Sequence, residues 1–300
     1  MSTTTSNAAD MADAPKKKVR APRRARLPWF SLGLLLILVL AAVLAPVIAP
    51  HDPLEQDIFS RFNPPVWMEG GDWEFIFGAD SLGRDVFSAI LYGLRISILV
   101  GIVAVTISVV LGVLAGLVAG YFSGGRLETI LMRGVDIQLS LPTVMIALGA
   151  MAIFGQGLWK LILIIGVVGW AQYARITRAS VLAEASKTYV KAAKTIGCSD
   201  SRILFRHILP NVFNPILVQI SVDIPRVIEL AATLSFLGLG VSVSTPSLGL
   251  RIAQEYQYLL GGHWWSTIMP GLALVLLVLC ANLVADWTRD KLDPKHDRLR

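Results

Sequence analysis

Charge is what this sequence has least of. Only 16% of its 300 residues are Asp, Glu, Lys or Arg, where soluble domains carry about 25%. With 54% hydrophobic residues and a mean hydropathy of +0.63, the chain falls outside the soluble class. Cysteine is nearly absent: Cys198 and Cys280 sit far apart, which excludes a disulfide framework and a cysteine zinc site. The four histidines, His51, His207, His263 and His296, lie in four separate segments, and no H-E-x-x-H or G-x-S-x-G pattern accompanies them. Nor is there a G-x-x-x-x-G-K-S/T phosphate loop, so the chain is not expected to hydrolyse a nucleotide by itself, and any ATP-driven work must come from a partner. The run Asp80–Asp85 lacks EF-hand spacing and places Arg84 among the would-be ligands, which argues against calcium. No cofactor or metal is expected on this chain.

What remains is apolar sequence. A bilayer core needs roughly 20 apolar residues per helix, and such runs cover residues 29–48, 96–121, 138–154, 158–173, 212–237 and 265–285. The third and fourth are short and separated by Gly155, Gln156 and Gly157, which predicts a tight hairpin. The expectation is an all-α membrane protein with six transmembrane helices.

The formal net charge of +6 is unevenly spread. Lys16, Lys17, Lys18, Arg20, Arg23, Arg24 and Arg26 crowd residues 1–28, against Asp10 and Asp13. Residues 51–90 instead hold only Arg61 and Arg84 against Asp52, Glu55, Asp57, Glu69, Asp72, Glu74, Asp80 and Asp85. Arg175, Arg178, Lys187, Lys191, Lys194, Arg202 and Arg206 dominate residues 175–210. Because basic residues accumulate in cytoplasmic loops, both termini and residues 175–211 are expected in the cytoplasm, and 51–90 outside it. The positive-inside rule accounts for the basic tail without a nucleic-acid partner. The apolar run 29–48 exceeds the about 7–15 residues of a signal-peptide core, so a retained first helix over 29–50 is expected. Trp29 and Trp287 at inner ends, with His263, Trp264 and Trp265 at an outer end, suit interfacial anchoring. The resulting organisation is a polar tail at 1–28, the first helix at 29–50, an outer loop at 51–90, a five-helix core at 91–288 and a tail at 289–300.

Between the fourth and fifth runs the chain reads YVKAAKTIGCSDSRILFRHILPNV. Val190, Ala193 and Ile196 form one apolar stripe of a short helix, with Lys187, Lys191 and Lys194 turned to water or a partner. Gly197 allows a sharp turn. A second amphipathic stretch through Ile203, Leu204, Phe205, Ile208 and Leu209 leads to Pro210. Two short helices at an angle would make a projecting knob; a merely amphipathic interfacial loop is the plainer reading.

This segment resembles the signature E-A-A-x3-G-x9-I-x-L-P of permease subunits in type I ATP-binding-cassette importers. Ala192, Ala193, Gly197, Leu209 and Pro210 match, while Lys191 stands at the Glu position and His207 at the Ile position. The resemblance implies that the knob, Tyr189 included, inserts into a cleft on an ATPase subunit. It also implies a MetI-like transmembrane domain, a second permease subunit of B type, two ATP-binding subunits that hold ATP and Mg, and an extracytoplasmic solute-binding protein, in a bacterial inner membrane. FGADSLGRD at 77–85, LYGLRIS at 91–97, SFLGLG at 235–240, PSLG at 246–249 and RDKLDP at 289–294 resemble the C-type subunit of dipeptide and oligopeptide importers. Within the first of these, Gly78, Asp80, Gly83, Arg84 and Asp85 either contact a partner or cap and anchor a helix start.

Asp223, Arg226 and Glu229 are the expensive residues of the fifth run. Spacing of three puts Arg226 beside both carboxylates on one face, and Pro225 frees a backbone carbonyl nearby. They line a substrate path or neutralise one another between helices; a peptide's charged ends favour the path. Gly112, Gly116 and Gly120 leave one flat face for helix packing. Asp136 is expected to pair with Arg133, and Pro142 to kink its helix. The rival function is a lone secondary transporter or channel using Asp223, Arg226 and Glu229 for ion coupling. An intramembrane enzyme lacks a nucleophile and base at workable spacing.

Overall fold

The computed structural model describes residues 29–292. The expected basic tail at 1–28 and residues 293–300 lie outside them. Among the described residues there is no strand beyond an isolated bridge between Ala79 and Asp85. The first apolar run forms α1 (Trp29–Val43) and the single turn α2 (Ala45–Ile48), separated at Leu44 with Pro46 at the start of α2. An irregular loop follows. Then come α3 (Val86–Tyr121), α4 (Arg126–Leu139), α5 (Thr143–Phe154), α6 (Leu158–Ala185), α7 (Thr188–Thr195), α8 (Asp200–Arg202), α9 (Leu209–Phe236), α10 (Leu248–Glu255) and α11 (Trp265–Leu292).

Several boundaries differ from those read in the sequence. The loop expected over 51–90 stops at Asp85, because the Asp85 carboxylate accepts from the Phe87 and Ser88 amides and starts α3 there. The run 138–154 is not one helix: residues 140–142 interrupt it, and α4 and α5 meet at 91°. Pro142 has no N–H to continue the ladder, and Ser140 and Leu141 before it end α4. The segment expected to begin at 175 is helical as far as Ala185, as part of α6, and α11 continues through Arg289.

On length and composition α3, α6 and α11 are each able to cross a bilayer, and α4 with α5 adds a fourth span if the bent pair counts as one. Helix α1 is apolar but has 15 residues. Helix α9 is long enough at 28 residues but carries Asp223, Arg226 and Glu229. The six apolar runs therefore fall on unlike elements.

The tightest seam joins α3 and α6. A Cβ built on Gly116 would lie 2.7 Å from the Ala174 carbonyl oxygen, and one on Gly120 would lie 2.7 Å from the Val181 Cβ. Small residues on α6 return the approach: a Cβ on Gly166 would lie 2.8 Å from the Ile107 Cβ. Close backbone contact of this kind holds helices together where lipid removes the hydrophobic drive between them. Ser108 shares the seam and donates to the Gly166 carbonyl at 2.8 Å. Helix α9 packs on α3, α6 and α11, and so stands at the centre of the bundle.

Candidate functional site

Helices α3, α4, α5, α6 and α9 enclose a cavity of about 240 Å³. Its wall is mostly apolar, through residues such as Val105, Leu139, Ile165 and Leu230, and carries a polar strip from α9 made of Asp223, Arg226, Glu229 and Thr233. Facing that strip are Ser108, Gln138, Thr143 and Gln172. The break between α4 and α5 matters here, because it brings Gln138 and Thr143 to the same wall from two helices lying across each other. Gln138 is fixed there by donating to the Val168 carbonyl and accepting from Trp170 Nε1 at 2.5 Å.

All three charged residues expected on the path line this cavity, but they are not paired as the spacing predicts. Arg226 Nη1 lies 3.4 Å from Asp223 Oδ1, while no ion pair joins it to Glu229 among the described residues. Long side chains on a helix slant back toward its N-terminus, over residues three and four earlier. Arg226 therefore reaches Asp223 and leaves Glu229. Asp223 is buried, and the same oxygen accepts from Gln219 Nε2 at 3.0 Å. Arg226 and Glu229 are both exposed to the cavity side. The expected Asp136–Arg133 pair is also absent: Asp136 accepts from Arg175 at 2.7 Å, across from α6. Sequence reasoning missed Gln138, Trp170 and Gln172, although polar side chains within or beside apolar runs carry a desolvation cost that flags them.

At the N-terminal end of α9 the knob residues form a compact unit. Val190 and Ala193 of α7 are buried, whereas Lys191 and Ala192 are exposed. Gly197 has φ +83°, and its amide donates to the Lys194 carbonyl while that of Cys198 donates to Ala193, a paired closure of a helix end that needs a left-handed residue. Ile196 departs from the expected stripe: it is 80% exposed, because α7 ends at Thr195 and the chain turns away. Phe205 is likewise exposed, while Ile203, Leu204 and Ile208 pack inward with Val181, Tyr173 and Ile216. Residues 203–208 form a wide π-type turn that runs into α9, where Pro210 occupies the first turn at no hydrogen-bonding cost. Tyr189 donates to Glu184 at 2.7 Å, and its hydroxyl accepts from Asn211 at 3.3 Å. Burial and then that contact with Glu184 push its phenol up to about 12, so it remains a donor at neutral pH. The carbonyl of His207 accepts from Asn211 at 2.6 Å.

At the other end of α9 the FGADSLGRD segment is largely internal. Asp80 Oδ2 accepts from Arg84 Nε at 2.7 Å and from Arg251 Nη1, and Glu255 takes the Ser81 hydroxyl at 2.7 Å and the Ser81 amide at 3.1 Å. All four charged groups, Asp80, Arg84, Arg251 and Glu255, are buried. Burial lowers the Arg251 pKa to about 10, with the Arg84 charge adding to the drop and Asp80 and Glu255 opposing it, so it stays cationic. Gly78 sits beneath Trp265, whose Nε1 donates to the Ala79 carbonyl at 3.0 Å. Trp265 is therefore a buried tie rather than the interfacial anchor expected of it. The i, i+4 pair Arg251 and Glu255 on amphipathic α10 was the signal that sequence reasoning passed over.

Comparison with known proteins fits this arrangement. Residues 110–298 match the profile of the binding-protein-dependent transport system inner membrane component, and residues 20–65 that of the N-terminal transmembrane domain of oligopeptide transport permease C. The chain is 41% identical over 261 residues to a di/tripeptide transport system permease protein of Pseudomonas aeruginosa, covering 87% of this chain and 86% of that one. It is 40% identical to a dipeptide transport system permease protein of Haemophilus influenzae, covering 88% and 90%. With a probable D,D-dipeptide permease protein of Escherichia coli it shares 37% over 94% of both chains. Among solved structures, the MetNI methionine ABC transporter in inward-facing conformations is similar in fold at 17% identity and a TM-score of 0.53, covering 66% of this chain and 93% of that one.

Proposed function

Since the chain belongs to the family of binding-protein-dependent transport system inner membrane components and is a permease subunit of an ATP-driven importer, we propose that it forms half of a translocation pathway for short peptides in a bacterial inner membrane. The single observation that carries this reading is continuity: one helix, α9, holds the knob at its start and the charged strip of the cavity midway along. The knob side is cytoplasmic, as are both termini, and the loop at 51–85 faces the binding protein. A B-type permease subunit supplies the other half of the path. Two ATP-binding subunits, which carry ATP and Mg, receive the knob through its exposed residues Lys191, Ala192, Ile196 and Phe205.

The mechanism follows from packing. Val190, Ala193, Ile203, Leu204 and Ile208 belong to the same apolar cluster as Tyr173 of α6 and Ile216 of α9. A close-packed cluster transmits displacement rather than absorbing it. Closure of the ATPase subunits therefore moves the knob with α9, and rigid-body rotation of α9 opens the cavity to one side and then the other. Peptides suit this cavity because charged strip residues can meet ionised termini that an apolar wall would exclude. The relatives are named as permease proteins of transport systems, and they lend no support to a lone gradient-driven carrier.

The test is reconstitution in proteoliposomes. The chain with its B-type partner, the ATPase subunits and the binding protein should take up a labelled dipeptide only when ATP is supplied. Dipeptide uptake by this chain alone, driven by an ion gradient, would overturn the proposal.

A further inference from the structure

The charged strip on α9 is an open row. Asp223 is engaged, with one oxygen accepting both Gln219 and a single nitrogen of Arg226. At 3.4 Å that second bond is at the weak end of the range, and the Arg226 side chain is 60% exposed. A guanidinium has five N–H donors in a planar fork suited to a carboxylate. Arg226 spends one, weakly, on Asp223 and makes no other side-chain hydrogen bond among the described residues. Glu229, one turn further on, lines the same cavity with its carboxylate in no ion pair or side-chain hydrogen bond among the described residues. A cation held by one long contact and an anion without a side-chain partner among the described residues thus stand side by side in one small space.

We propose that Arg226 and Glu229 form a two-point clamp that reads the two ends of a short peptide, Arg226 taking the terminal carboxylate and Glu229 the terminal ammonium. This rests on the reading of the cavity as a peptide path and names the chemical class that path accepts: zwitterions of about two residues. Geometry supports the size limit. Side chains three apart on a helix have Cβ atoms about 5–6 Å apart, and the backward slant of Arg226 toward Asp223 widens the gap between the two charged heads. A two-residue peptide spans at most about 7 Å when extended. The cavity, at about 240 Å³, lies just below the roughly 300–1,000 Å³ typical of small-molecule sites.

The rest of the wall explains tolerance of side chains. Gln172 and Thr143 are neutral groups able to bond a peptide amide, whereas Gln138 is held by Val168 and Trp170 and Ser108 is buried in the α3–α6 seam; apart from Thr233 the remaining lining is apolar. Ends are read, and sequence is not. Both clamp residues are exposed in this chain, and contacts to a peptide made against competing water are weak enough for release. Asp223 is the positioning residue: buried and anchored by Gln219, it draws one guanidinium nitrogen of Arg226 back along the helix and leaves the other donors free.

The experiment uses the complete reconstituted complex with binding protein and three labelled solutes: dialanine, N-acetyl-dialanine and dialanine amide. Each is supplied at a concentration giving equal occupancy of the binding protein, so that protein's own preference cancels between variants. Glu229→Gln is expected to lower dialanine uptake about tenfold, a loss of about 1.4 kcal/mol, while changing uptake of N-acetyl-dialanine less than about twofold, since that solute has no ammonium to lose. Arg226→Gln should show the mirror pattern, sparing dialanine amide. If Arg226→Gln fails to assemble, Arg226→Lys keeps the charge beside Asp223 but loses the fork and should show the same pattern more weakly. Equal slowing of all three solutes by these variants would overturn the clamp and leave the path reading standing. Unchanged uptake of all three, in complexes that hydrolyse ATP normally, would overturn both.

Discussion

At the scale of single residues, Gly197 decides the shape of the knob. Its φ of +83° lies where a β-branched residue is strained by roughly 1–3 kcal/mol, and no side chain stands within 4 Å of a Cβ placed there. The constraint is therefore conformational and not steric crowding. Gly197→Val should enter the membrane and assemble, yet misaim α7 relative to residues 203–208, so that ATP is hydrolysed with less peptide moved per phosphate released. Gly197→Asn, which tolerates the left-handed region, should fall between the two. Measuring both fluxes in the same proteoliposomes checks this, and a wild-type ratio in the Val variant would remove Gly197 from the coupling mechanism. The sharp turn at Gly197 was legible from the E-A-A-like spacing, whereas the exposure of Ile196 and Phe205 was not. Apolar periodicity reports which residues share a helical face, but Ile196 lies past the end of its helix and Phe205 in a widened turn, where that period no longer holds.

At the scale of elements, the α3–α6 seam shows how far a pattern of small residues can be read. The four-residue spacing of Gly112, Gly116 and Gly120 marked a flat face, and the sequence could not say which helix would fill it. The residues that answer it on α6, Tyr173, Thr177 and Val181, keep the same four-residue spacing but are not small, so composition does not mark them. Gly116→Val should force α3 and α6 apart, because its Cβ alone would already be too close to the Ala174 oxygen; an overpacked contact costs about 1–3 kcal/mol. Gly134→Ala in α4 is the matched control, with nothing within 4 Å of the added methyl, and should be neutral or gain up to about 1 kcal/mol from better helix propensity. Thermal stability of the detergent-purified complex separates the two. Equal loss in both would mean that the seam is not the sensitive contact. The bend between α4 and α5 was foreshadowed by Pro142 only as a kink. Its 91° turn is accompanied by tertiary contacts of Gln138 with Val168 and Trp170, which no local signal contains.

For the whole molecule, α9 joins two differently built ends. At its far end the buried Asp80, Arg84, Arg251 and Glu255 tie the loop before α3 to α10 and resist deformation, because separating either pair strands a charge away from water. At its near end the knob is anchored internally, with Tyr121 donating to Asp200 at 2.6 Å and Lys187 paired to Glu184 at 2.7 Å. What it presents outward is cationic: Lys191, Lys194, Arg202 and Arg206 are all exposed. The resemblance that identified this segment places an acidic residue at the position of Lys191, so the charge this chain offers a partner there is opposite in sign. A cleft adapted to this knob should carry acidic groups opposite. Lys191→Glu should then weaken docking of the ATPase subunits, and the loss should shrink as salt is raised from 0.1 M to 1 M, where the screening length falls from about 10 Å to about 3 Å. Titrating labelled ATPase subunits onto the permease pair at both salt concentrations reads this directly. Docking of Lys191→Glu that equals or exceeds wild type at low salt would mean that Ile196, Phe205 and the turn at Gly197 carry the recognition by shape, with the charge at 191 free to vary.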